Sequence, residues 1–174
     1  MPFIGPEIVS QRCSEEDGRG EYPSGTAVDR VIQQLLQPSP VITEIIGHPG
    51  ETWARISACP FAYPVGTGIR WHTDRIYSGA FVYYANMEWR PNWGGELLVG
   101  GVVVEGPGVS PAHRRGLFGD EHLQWGDKGG AGVFIAPLPN RLVLIRGGTP
   151  HMVKRVEPAA GDRPRVSVAG FFTP

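Results

Sequence analysis

The 174-residue chain is short of the features that would assign it quickly. It has two cysteines, Cys13 and Cys59, too few for the disulfide framework of a secreted scaffold, so both are expected as reduced thiols. It has no excess of either charge. Sixteen Lys and Arg stand against seventeen Asp and Glu, and no basic block or stripe is present, which argues against a nucleic-acid partner. It has no apolar run near the eighteen or more residues of a membrane span, and MPFIGPEIVSQRC lacks the basic start and apolar centre of a signal peptide. A cytoplasmic protein with no membrane partner is the expectation.

The chain does have turn residues. Gly 25 and Pro 17 together make up about a quarter of it, which disfavours long helices and favours short strands joined by turns. One segment, TAVDRVIQQLLQ (26–37), spaces Val28, Val31, Ile32, Leu35 and Leu36 as a helix does, and Pro38 and Pro40 are expected to stop it. Strand-like runs follow at 41–47, 52–63, 79–86, 95–105, 132–137, 141–146, 151–157 and 165–172. Many short strands separated by turns predict a mainly β sandwich or barrel, and the length predicts one domain. Residues 106–131 break the rhythm with glycine, charge and scattered aromatics, as a substrate-covering loop would.

Chemistry concentrates in RWHTDR (70–75). Residues two apart on a strand face the same side, so His72 and Asp74 can converge on one ion if that side meets a pocket. Two histidines and a carboxylate form the facial set that leaves open positions on ferrous iron. His48 precedes a Pro-Gly turn, and His113 and His122 lie in the polar loop. His151 opens a strand after RLVLIR and a GGTP turn, and is the natural third ligand. Gly94-Gly95-Glu96 reads as a turn with a solvated or hydrogen-bonded carboxylate rather than a ligand.

With these segments in order, the sequence resembles the iron(II) and 2-oxoglutarate dependent oxygenases, in particular their prolyl-4-hydroxylase-like branch. YPVGTGIRWHTD, GAFVYYANMEWRPNWGGELLV, APLPNRLVLIRGGTPHMVKRVEP and RVSVAGFF are similar to four successive segments of that family. The resemblance implies a double-stranded β-helix, or jelly-roll, over about 41–174, preceded by one or two helices. It implies Fe(II) held by His72, Asp74 and His151, with 2-oxoglutarate and O2 as cosubstrates and ascorbate as a stimulant. Arg165 would pair with the 2-oxoglutarate carboxylate, with Tyr84 and Tyr63 offering hydroxyls. The loop EPAAGDRP lengthens the gap before Arg165, so Arg163 competes for that role. The implied activity is hydroxylation or a related oxidation of a small-molecule, amino-acid or peptide substrate, with 2-oxoglutarate converted to succinate and CO2. A non-catalytic jelly-roll binding module and a cupin-like metal enzyme without 2-oxoglutarate are the alternatives.

Overall fold

The structure is a computed structural model, and it describes residues 2–4, 8–10, 20–100 and 132–174. The loop at 106–131, with His113 and His122, lies outside the described residues, as does Cys13. Among the described residues the protein is mainly β, with strands in two sheets and two short helices on the N-terminal side.

In chain order the elements are β1 (Phe3–Ile4), β2 (Ile8–Ser10), β3 (Gly20–Glu21), α1 (Val28–Leu36), α2 (Pro40–Ile45), β4 (Arg55–Tyr63), β5 (Ile69–His72) and β6 (Gly79–Tyr84). They continue with β7 (Leu97–Gly100), β8 (Gly132–Ile135), β9 (Leu142–Arg146), β10 (His151–Val153) and β11 (Arg165–Thr173). The larger sheet runs β3-β2-β4-β11-β6-β9, with β1 also on β4; the smaller runs β5-β10-β7-β8. Pairing is antiparallel except between β2 and β3.

Side-chain alternation along β11 explains how the layers stack. Its even residues Val168 and Phe172 pack with Ile56 and Ala58 of β4, Phe81 of β6, and Val28, Ile32 and Leu35 of α1, forming one core between the helices and the larger sheet. The opposite face of the larger sheet meets the smaller one. There Tyr63, Ala80 and Ile145 join Leu97 and Val153 in a second core. The face between the sheets also carries the polar residues described below.

The expected strands at 79–86, 132–137, 141–146 and 165–172 coincide with β6, β8, β9 and β11 to within two residues, and the helix at 26–37 is α1. The run at 52–63 becomes strand only from Arg55, and that at 151–157 shortens to β10. β7 starts two residues into 95–105, whose residues 101–105 lie outside the described residues. Residues 41–47 are a correction, because VITEI is helical in α2. The β-branched run suggested a strand, but the local caps decide otherwise. Ser39 accepts a hydrogen bond from the Ile42 N–H, and Pro40 sits at the first helical position, where its missing N–H costs nothing. Pro40 therefore starts a second helix rather than merely ending the first, and Ile42 and Ile46 bury into the helix-side core. Strands β1 to β3, which extend the edge beyond β4, were not expected either. No helix among the described residues is long and apolar enough to cross a membrane.

Candidate metal centre and carboxylate pocket

Strand register brings the two histidines together. β10 pairs with β5 so that His151 lies directly opposite His72, and their rings are 4.2 Å apart between centroids. Asp74 departs from the expectation in one respect: β5 ends at His72, so Asp74 lies just beyond the strand, ahead of a turn closed by the Tyr77 N–H on its carbonyl. The turn still returns the carboxylate to the histidines. Asp74 Oδ2 is 3.2 Å from His151 Nε2, and one ligand atom from each of His72, Asp74 and His151 falls within 4.8 Å of the others.

Backbone carbonyls orient both imidazoles. His72 Nδ1 is 2.7 Å from the Arg70 oxygen and His151 Nδ1 is 2.8 Å from the Thr149 oxygen. A carbonyl oxygen only accepts, so each Nδ1 donates to it and Nε2 is the ring nitrogen left to face the cluster. This is the arrangement of metal-ligating histidines, whose second nitrogen is tied to the protein. Two imidazole nitrogens and one carboxylate oxygen suit a divalent transition ion such as ferrous iron.

The same pocket reaches along β11 to Arg165, since His72, Asp74, His151, Ser167 and Arg165 all line it. Arg165 is fully buried, 0% exposed. In register it lies opposite Tyr63 on β4, while Tyr84 on β6 lies opposite Ser167. The guanidinium is consequently set between two rings, 4.8 Å from the Tyr63 centroid and 4.9 Å from that of Tyr84. Burial pushes both phenols above their ordinary pKa, and the Arg165 charge pulls them partly back.

Polar satisfaction in this pocket is incomplete. Arg165 Nη1 donates to Ser167 Oγ at 3.2 Å, yet Arg165 Nε and Nη2 and the Tyr84 hydroxyl have no hydrogen-bond partner among the described residues. A buried guanidinium with unmet donors is expensive to leave uncompensated. Its planar fork fits a carboxylate, and the adjacent phenol adds a donor, so these residues fit the far end of a dicarboxylate such as 2-oxoglutarate.

Arg163, the competing arginine, is exposed and lies over the Trp93 ring at 5.2 Å. Tyr83 turns away from the pocket, and its hydroxyl lies 3.0 Å from Asn140 Oδ1. Trp89 and Trp93 pack edge to face in the second core. Glu96 is 5% exposed rather than solvated, with Oε2 3.8 Å from Lys154 Nζ. Sequence reasoning missed Tyr77, which stacks on Phe171 at 4.0 Å beside the pocket. Alternation along Arg165-Ser167-Ala169-Phe171 carries a signal for Phe171; nothing local marks Tyr77.

Residues 60–173 match the sequence profile of the 2OG-Fe(II) oxygenase superfamily. The chain belongs to this superfamily. Membership implies Fe(II), 2-oxoglutarate and O2. No curated protein matches the sequence. Among solved structures, the oxygenase chain is similar to a Pseudomonas putida prolyl-4-hydroxylase, with 22% identity, a TM-score of 0.58, and coverage of 86% of this chain and 64% of that one. It is also similar to an oxidoreductase of the 2OG-Fe(II) oxygenase family from Burkholderia pseudomallei, with 16% identity, a TM-score of 0.47, and coverage of 83% and 57%. The first similarity shows a shared jelly-roll fold, and the chain spans less than two thirds of that relative's length.

Proposed function

We propose that the protein is an Fe(II)- and 2-oxoglutarate-dependent dioxygenase that hydroxylates or otherwise oxidises a small-molecule, amino-acid or peptide substrate, with 2-oxoglutarate leaving as succinate and CO2. One observation carries this reading. A fully buried arginine with unmet donors shares a pocket with a two-histidine, one-carboxylate cluster. A metal enzyme without a carboxylate-bearing cosubstrate has no use for that arginine, and a passive binding module has none for the oriented histidines.

His72, Asp74 and His151 would hold the iron, which when bound supplies a coordination face open to cosubstrate and O2. The carbonyls of Arg70 and Thr149 keep the two Nε2 lone pairs aimed, so little ring reorientation is needed on metal uptake. Arg165 would receive the distal carboxylate through Nε and Nη2, with Tyr84 donating its hydroxyl; Tyr63 stacks against the same guanidinium. The raised pKa of Tyr84 keeps that hydroxyl protonated as a donor. Apolar walls from Phe61, Leu97 and Phe171 exclude water and strengthen these polar contacts.

The test is aerobic incubation of the iron-loaded protein with 2-oxoglutarate, ascorbate and a panel of small-molecule, amino-acid and peptide substrates. Succinate is measured, and the panel is read for a mass gain of one oxygen. Succinate formation that disappears in His72→Ala and His151→Ala together with bound iron is expected. Full iron stoichiometry in either variant would sink the ligand assignment, and failure to bind 2-oxoglutarate would sink the activity.

A further inference from the structure

Arg165 is held in the ladder opposite Tyr63 on its β4 side, but its β6 side is a weak point in its support. Residues 161–164 are exposed, Pro164 has no N–H to donate, and the regular β6–β11 pairing ends at Ser167 opposite Tyr84. After one more bond, from the Ala85 N–H to the Val166 carbonyl at 3.1 Å, a side chain takes over from the backbone. Asn86 Nδ2 donates to the Pro164 carbonyl at 2.9 Å, and Asn86 Oδ1 accepts from the Val166 N–H at 2.6 Å. These two groups belong to the peptide units immediately before and after the Arg165 Cα. Holding both planes sets the direction in which the Arg165 side chain leaves the strand. A carboxamide suits the task because it offers a donor and an acceptor from one carbon.

The aliphatic part of the same side chain rests on a glycine. Gly95 has φ +72°, and a Cβ there would lie 2.7 Å from Arg165 Cδ. The turn is held in place by Trp89, whose Nε1 donates to the Gly94 carbonyl at 2.8 Å.

We propose that Asn86 and Gly95 are positioning residues for the cosubstrate, Asn86 aiming Arg165 through its two flanking peptides and Gly95 providing the space its side chain occupies. This rests on the reading of Arg165 as the 2-oxoglutarate anchor. Neither residue touches the cosubstrate; both act through Arg165. An effect transmitted in that way must vanish once Arg165 is gone.

The experiment titrates 2-oxoglutarate into anaerobic, Fe(II)-loaded protein by calorimetry, and measures Fe(II) affinity and thermal melting separately. Asn86→Ala is expected to weaken 2-oxoglutarate binding about tenfold while Fe(II) affinity stays within about twofold. In the Arg165→Ala background the same change is expected to add nothing. Gly95→Ala should follow the same pattern. If Asn86→Ala does not fold, Asn86→Asp, which keeps the acceptor for the Val166 N–H and sets a carboxylate oxygen against the Pro164 carbonyl in place of the donor, carries the test. Equal losses in both backgrounds, or a parallel loss of Fe(II), would overturn the proposal and leave a purely structural role. Should the wild type fail to bind 2-oxoglutarate, or Arg165→Ala bind it normally, the functional reading falls and the proposal with it. Normal binding by Asn86→Ala beside a defective Arg165→Ala defeats the proposal alone.

Discussion

Arg165 brings a permanent charge into a pocket where Ser167 is its one hydrogen-bond acceptor among the described residues. Removing a partner from a buried charge pair costs several kcal/mol, so on the proposed function the 2-oxoglutarate carboxylate and the guanidinium would depend on each other. On the proposed function, Arg165→Ala retains iron and raises the 2-oxoglutarate requirement roughly thirtyfold or more, corresponding to about 2–4 kcal/mol. Arg163→Ala changes it by no more than about threefold, because an exposed cation over a ring contributes little. The concentration of 2-oxoglutarate giving half-maximal succinate formation in the two variants decides between the arginines. The reverse ranking would mean that the anchor had been placed two residues late. This choice was partly legible from alternation, since Arg165 shares a face with Ser167 and Ala169. What alternation omits is burial depth, which depends on Tyr63 and Tyr84 arriving from β4 and β6.

At the scale of elements, β11 is the strand on which core and pocket both depend. It lies between β4 and β6, sends Val168 and Phe172 into the helix-side core, and presents its odd residues to the pocket. At Gly170 it leaves no room toward β4, where a Cβ would collide with the Ser57 carbonyl. Gly170→Ala is therefore expected to force the two strands apart and to cost about 3 kcal/mol, measured by urea denaturation of the metal-free protein. A change below about 0.5 kcal/mol would show that the strands separate there at little cost. The strands that formed where expected are those with apolar runs and turn residues at both ends. Residues 41–47 misled because Val41, Ile42, Ile45 and Ile46 suit either element, and the Ser39 cap with Pro40 outweighs their β-branched preference. β10 is shorter than its run because regular pairing ends at Val153; beyond it the Lys154 N–H still donates to the Glu96 carbonyl and the Arg155 carbonyl still accepts from the Gly95 N–H, with Val156 opposite Gly94 as an isolated bridge.

For the whole molecule, a ligand that binds the folded chain alone stabilises it by mass action. Three ligand atoms drawn from β5, the turn after it and β10 come together only in the folded sheet. Fe(II) at about a hundredfold over its dissociation constant is thus expected to add about 2.7 kcal/mol, raising the melting temperature by roughly 5–10 °C under anaerobic conditions. The rise should be absent in His72→Ala and His151→Ala, and an equal rise in either would place the metal elsewhere. The sequence by itself determined the mainly β architecture, the α1 helix, the His72, Asp74 and His151 set and the candidate arginine. Each of these is written in local periodicity or in residue types whose chemistry is restrictive. Only the tertiary structure decided that His72 lies opposite His151, that Asp74 returns from a turn rather than a strand, and that two tyrosines enclose Arg165. Those relations join residues tens of positions apart, and strand register, which aligns them, is set by packing across the whole sandwich rather than by any short stretch of sequence.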